Sequence, residues 1–301
     1  MFSSEQIDLF ASNLDDGFFL IGAAILVIEV LKRIFTEPKK GKPFLDMVAS
    51  VSTQIPTLLF EVAIMSFAYA GLVVVAESFV TWTMPITIWT VVLALLVCDF
   101  VYYWEHRFAH EIRLFWTQHA VHHSSRYMNS AVGIRFGPFE SVLSVLMHAP
   151  LVLLGFPPTL IFFGIITVLA YQAWIHTELI GKLGMLDKVL NTPSNHRVHH
   201  GCDDKYIDKN YGGILIVWDR LFGTYAAEEE TPNYGLKRAF DSLNPLQVWF
   251  SELPQFIRDV RGAKTAKEAL GYLFGKPGWA PERKDLSAKP NMTRSIVSAR
   301  D

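Results

Sequence analysis

All ten histidines of the 301-residue chain fall between positions 106 and 200. Eight of them form three groups: His106-x3-His110, His119-x2-His122-His123 and His196-x2-His199-His200. Residues three and four apart share a helix face, so each His-x2-His-His unit projects three imidazoles from one side of a helical turn. Neutral imidazole is the commonest nitrogen ligand of zinc, copper and iron. A single ion rarely takes eight imidazoles, so the count points to two ions. His176 stands alone but is expected on the same side, as a ninth ligand. His148 has no histidine at helical spacing and reads as a buried, hydrogen-bonded core residue.

The two cysteines, Cys98 and Cys202, lie far apart. A disulfide framework, a zinc ribbon and an iron–sulfur cluster are therefore excluded. The zinc-protease pattern His-Glu-x-x-His also fails, because after His110-Glu111 the second histidine position is Leu114. Imidazole-rich sites with open positions suit iron and oxygen chemistry, and they also suit zinc hydrolysis. Two acids stand near the histidines. Glu111 adjoins a ligand and could ligate the metal or accept a hydrogen bond from a ligand ring. Asp99 could orient a ligand histidine, or pair with Arg107 or Arg113.

The elements that must position these residues are apolar. The chain is 51% hydrophobic and 19% charged, against roughly 25% charged in a soluble domain. Its mean hydropathy is +0.26. A net charge of −2 without a basic block argues against a nucleic-acid partner. Phe18–Phe35, Ile55–Ala76 and Met84–Trp104 each reach the roughly 20 residues of a bilayer crossing. The first run lacks the flanks of a secretory signal. Ser141–Trp174 is broken at Gly155-Phe156-Pro157-Pro158 and reads as a helical hairpin. Lys and Arg are absent from 1–31, 51–106 and 136–181. With the N-terminus outside and three crossings plus a returning hairpin, every one of them falls on the cytoplasmic face. Tyr102, Tyr103 and Trp104 then sit where an aromatic belt would lie. The predicted class is an all-α integral membrane protein, in the bacterial inner membrane or endoplasmic reticulum, carrying a cytoplasmic histidine-rich cap.

Composition divides the chain into a membrane and metal domain at 1–226, with its histidine core at 99–226, and a C-terminal extension at 227–301. The extension is prolinic, and its aromatic stretches at Leu246–Phe250 and Ala269–Phe274 either lie along lipid headgroups or pack on the cap. Its end is expected to be disordered.

Three segments carry a family resemblance. Asp99-Phe-Val-Tyr-Tyr-Trp-Glu-His106-Arg-Phe-Ala-His110-Glu111, Trp116-Thr-Gln-His119-Ala-Val-His122-His123 and Asn195-His196-Arg-Val-His199-His200-Gly resemble the eight-histidine signature of the fatty acid hydroxylase/sterol desaturase superfamily. Thr192–Gly201, Ile207-Asp-Lys-Asn-Tyr-Gly-Gly, Trp218-Asp-Arg-Leu-Phe-Gly-Thr and Gly275-Lys-Pro-Gly-Trp279 are most similar to its alkylglycerol monooxygenase branch. The resemblance implies a non-haem di-iron centre that uses O2 on a lipid C–H bond, with zinc as an alternative occupant. It also implies a separate electron donor, for which a reduced pterin is the candidate. A zinc-dependent membrane lipid hydrolase and a non-enzymatic metal-binding membrane protein stay open as the competing classes.

Overall fold

A computed structural model describes residues 4–36 and 42–281; the expected disorder at the chain's end lies outside this range. Among the described residues there is no β-strand, only two isolated bridges, Leu190–Leu215 and Gly201–Tyr234. Three long helices come first: α1 (Ser4–Thr36), α2 (Lys42–Phe79) and α3 (Ile88–Glu111). Extended backbone at Ile112 separates α3 from α4 (Arg113–His122). The hairpin follows as α5 (Glu140–His148), α6 (Pro150–Leu153) and α7 (Pro158–Tyr171), with the Gly/Pro corner at its turn. Proline at the first position of α7 is favourable because that N–H has no helical partner to lose. Five shorter helices follow among the described residues, α8 (Pro193–His199), α9 (Val217–Phe222), α10 (Pro245–Trp249), α11 (Leu253–Arg261) and α12 (Ala266–Phe274), with 3₁₀ turns at Ser130–Ile134, Gln172–Trp174 and Leu186–Lys188.

Two helices are long and apolar enough to cross a membrane, α2 and α3. α2 holds Ile55, Leu59, Phe67 and Val74 out of the protein, with Phe67 80% exposed. An apolar face of this extent marks a membrane or protein contact. α1, expected as a span over Phe18–Phe35, is not among the two. It packs along α7 and turns Glu29 inward, where the buried carboxylate accepts hydrogen bonds from the Ser130 N–H (2.7 Å) and the Thr177 hydroxyl (2.5 Å).

The tightest helix pair is α3 on α7, which buries Ala94 and Cys98 against Ile161 and Ile165. Gly164 permits it: a Cβ there would lie 2.5 Å from Cys98 Sγ. Overpacking of this kind costs about 1–3 kcal/mol. Gly164→Val should lower the thermal midpoint of the purified protein, and Cys98→Gly should restore part of the loss. An unchanged midpoint in Gly164→Val would show that the pair can spread without cost.

The aromatic-belt expectation needs correction at Tyr103. This ring is fully buried, stacks on Phe222, and its hydroxyl pairs with that of Thr224 at 3.0 Å. Tyr102 likewise turns inward, donating to Gln172 Oε1.

Candidate metal centre

Nine histidines converge in two groups. The first holds His106, His110, His119, His123 and His199, the second His122, His176, His196 and His200. Within each, the nearest ring nitrogens all lie within 4.8 Å of one another, and every residue is buried. His148 stays apart, with its ring nitrogens on the backbone carbonyls of Ser144 (2.9 Å) and Cys98 (3.3 Å).

The two His-x2-His-His units do not each serve one group. At the end of α4, His119 and His123 are four apart and face the first group, while His122 between them faces the second. At the end of α8 the pattern is reversed: His196 and His200 face the second group and His199 the first. Each helix end thus forks, and the forks cross. The crossing brings the rings into contact, with His199 Nε2 3.1 Å from His123 Nε2, and His122 Nε2 3.1 Å from His176 Nε2.

The outward nitrogens settle which proton each ring carries. Nδ1 of His106 faces the Tyr211 carbonyl at 2.9 Å, that of His199 the Lys209 carbonyl at 3.0 Å, and that of His176 the Gln172 carbonyl at 3.0 Å. A carbonyl only accepts, so Nδ1 carries the proton in each case. His119 Nδ1 lies 2.5 Å from Glu140 Oε1, a carboxyl group whose pKa burial pushes up to about 8, so either partner can carry the shared proton. Burial lowers the His119 pKa to about 3 and that of His176 to about 4. Burial, reinforced by neighbouring imidazoles, holds His122, His123, His196, His199 and His200 well below the usual value. These rings are therefore neutral at pH 7, and Nε2 of His106 and of His199 is each left with a lone pair and no hydrogen. Both belong to the first group, whose donor atoms all lie within 4.8 Å of one another. Bare lone pairs converging in this way suit a shared cation, so the donor set fits bound metal. Neither group includes a thiolate or carboxylate among the described residues, which suits a late transition-metal dication such as iron or zinc.

The loop 207–219 supplies two of these three carbonyls, those of Lys209 and Tyr211, and this accounts for the motif residues there. Asp208 and Asn210 both adopt left-handed backbone (φ 58°) on either side of Lys209. The Asn210 side chain ties the loop to Asn195 and Ala226. Asp219 accepts from the Tyr211 and Gly212 N–H groups and from Thr224.

The two acids read from sequence are not in either group. Asp99 makes no direct hydrogen bond to a histidine and pairs with neither Arg107 nor Arg113. Its carboxylate accepts from the N–H groups of Ile214 (2.6 Å) and Leu215 (3.1 Å) and from the Trp218 indole (2.8 Å). Glu111 pairs with Arg107 at 3.2 Å and lies 3.6 Å from Lys276 Nζ. Arg113 binds Asp259 instead. Two supporting residues take roles that the sequence reading did not give them. Glu140 opens the hairpin helix α5, 21 positions beyond His119. Arg135 is fully buried and joins Asp46 of α2 (2.8 Å) to the Ser124 hydroxyl (3.0 Å) directly after His123.

Fold and site together define an all-helical chain with two apolar helices long enough to cross a membrane and two histidine groups suited to metal. The fatty acid hydroxylase family model matches residues 91–224, which takes in α3, α4, the hairpin, α8 and α9, and places the chain in that family. Over 252 residues the chain is 37% identical to an alkylglycerol monooxygenase of Danio rerio, covering 82% of this chain and 56% of the relative. The Homo sapiens alkylglycerol monooxygenase is 36% identical over 258 residues, with the same coverage. An ornithine lipid hydroxylase of Rhizobium tropici is 34% identical over 137 residues, 45% of this chain and 41% of the relative. The chain spans about half the length of the alkylglycerol monooxygenases it matches. No solved structure matches it at a significant level.

Proposed function

We propose that the chain is a membrane-bound, non-haem di-iron oxygenase acting on a lipid C–H bond. The observation that carries this reading is the pair of crossed, imidazole-only groups within a fatty acid hydroxylase segment. Iron bound there supplies reactivity toward O2 sufficient for an unactivated C–H bond. The relatives' names, monooxygenase and lipid hydroxylase, favour oxygen chemistry over zinc hydrolysis. Hydroxylation places one oxygen atom of O2 in the C–H bond and reduces the other to water. That consumes two electrons and two protons, so a donor outside the chain is required, and a reduced pterin is the one we propose. Desaturation and ether cleavage remain within the same chemistry.

The chain's own residues hold and orient. The Tyr211, Lys209 and Gln172 carbonyls fix three rings, and Glu140 fixes His119 through the proton it shares with the outward nitrogen. Asp99 and Glu111 act as positioning residues, Asp99 through the 214–218 loop and Glu111 at the end of α3. Residues 1–226 carry the membrane and metal machinery. The extension begins at 227, and its described part, up to 281, lies at the membrane surface in this reading, where α11 presents Phe256 inward and Arg258 and Arg261 at its last turn.

Lipid mass spectrometry of expressing cells under 18O2, with metal analysis of the purified protein, tests the reading. A lipid product two mass units heavier and about two iron ions per chain are expected. Turnover without O2 on bound zinc would replace it with hydrolysis.

The proposed orientation has α1 crossing the membrane as well as α2 and α3, the N-terminus outside and the histidine face cytoplasmic; all Lys and Arg then share one side. In a Cys202→Ser background, a cysteine at Ser12 should be labelled by a membrane-impermeant reagent in intact cells, and one at exposed Ala239 should not. The reverse pattern would invert the topology.

A further inference from the structure

The two histidine groups are alike in the rings that converge, but not in what stands behind those rings. In the first group three of the five have a partner on the outward nitrogen: His106 on the Tyr211 carbonyl, His199 on the Lys209 carbonyl and His119 on the Glu140 carboxyl group. In the second, His176 rests on the Gln172 carbonyl at 3.0 Å. Nδ1 of His122 and of His196, however, is buried and meets no hydrogen-bond partner among the described residues. The His122 ring lies flat on Phe136 instead, with centroids 5.3 Å apart and planes at 10°, and a phenyl ring offers Nδ1 no carbonyl or carboxylate to bind.

What stands behind a ring decides how ready its inner nitrogen is for a cation. A neutral imidazole carries one hydrogen, on one nitrogen or the other. A carbonyl at Nδ1 keeps it there, so His106 and His199 present a bare Nε2 before any ion arrives. His122 and His196 have the opposite preference. Their Nε2 atoms lie 3.1 Å and 2.7 Å from Nε2 of His176, which is itself bare because the Gln172 carbonyl holds its hydrogen on Nδ1. His196 has a second such neighbour, His200 Nε2 at 3.1 Å. A hydrogen on Nε2 of His122 or His196 can therefore be donated to a neighbouring ring, whereas one on Nδ1 meets nothing. To take an ion, both rings must give up these inner hydrogen bonds and carry their hydrogen on a buried nitrogen without an acceptor. Their charge does not change, but an unpaired buried donor is costly.

Partners behind ligating histidines are worth about 10–100-fold in metal affinity, and the first group also gathers five rings against four. We propose that the two groups bind their ions unequally. The first fills first and keeps its ion, while the second holds the exchangeable one. A one-ion form of the chain then precedes the two-ion form, and the supply of iron sets how much of the protein is complete. The inference rests on the metal-binding part of the oxygenase reading, but it is measured without turnover.

The test titrates the metal-stripped full chain, in phosphatidylcholine nanodiscs under argon, with Co2+, following bound metal and the visible spectrum. Two steps are expected, with dissociation constants about tenfold or more apart. The first should bring the weak bands of a five-ligand cobalt ion, and the second should add the more intense bands of a four-ligand one. His122→Ala should keep the tight step and lose the weak one, whereas His110→Ala should leave a single ion at the weak constant. Glu140→Ala should weaken the tight step about 10–100-fold and leave the weak step where it is. Constants less than about tenfold apart would overturn the proposal. So would a tight step that survives in His110→Ala, because repulsion between two ions in equal sites would produce that result. Should His110→Ala not fold, the wild-type spectra still decide: four-ligand bands in the first step would reverse the order of the groups. Stepwise binding as expected without any 18O-containing lipid product would leave this inference standing and remove the oxygenase reading instead.

Discussion

His122→Ala and His199→Ala should each strip metal and abolish lipid oxidation, although the two residues face different groups. His122 sits on α4 between two first-group rings yet faces the second group, and His199 sits on α8 between two second-group rings yet faces the first. Removing His122 leaves three rings for one ion, and removing His199 leaves four for the other. Loss of residues that merely support a ligand typically costs 10–100-fold in metal affinity, so loss of a ligand itself should cost about 100-fold or more. Metal analysis should fall from two ions per chain to one or fewer, and turnover should drop below detection. His148→Ala is the matched control: its ring is buried but bonded only to backbone, so both ions should stay. Two ions and full turnover in His122→Ala would dismiss the assignment of the two groups.

The spacing of the histidines made the ligand set readable, because i, i+3 and i+4 on a helix must emerge on neighbouring faces. Spacing alone gives the three residues of each unit one common side. It does not show that the middle residue parts from its neighbours, since that depends on where the other unit approaches. The hairpin was readable at Gly155-Phe156-Pro157-Pro158 because proline cannot continue a helix. The apolar run of α1 was readable, but not the face it turns to the protein: Glu29 is drawn inward by Ser130 and Thr177, contacts over 100 residues away in the chain. Glu140 and Arg135 were hidden for the same reason. Each meets its partner through tertiary packing: Glu140 reaches His119 across 21 residues, and Arg135 reaches Asp46 across 89. No periodicity marks such pairs.

Asp99 shows how an acid can matter to the metal site without touching it. Its buried side chain is the shared acceptor for two backbone N–H groups and the Trp218 indole, whose residues are half-buried around it. The loop it holds continues into Tyr211, whose carbonyl fixes His106. Gly213 sits so close that a Cβ would lie 2.8 Å from Asp99 Oδ1 and 2.7 Å from Val168, so the loop has no room to settle elsewhere. Asp99→Ala strands three donors, and each unsatisfied buried donor costs about 1–3 kcal/mol. Asp99→Asn fares little better, because its amide N–H₂ must face donors that the second carboxylate oxygen accepted. Both variants should lower the thermal midpoint markedly and release metal from the first group. Trp218→Phe removes one donor together with its need for an acceptor, and should keep both ions. Retention of two ions and a wild-type midpoint in Asp99→Ala would show that the loop is held without it, and that His106 owes its orientation to α3 alone.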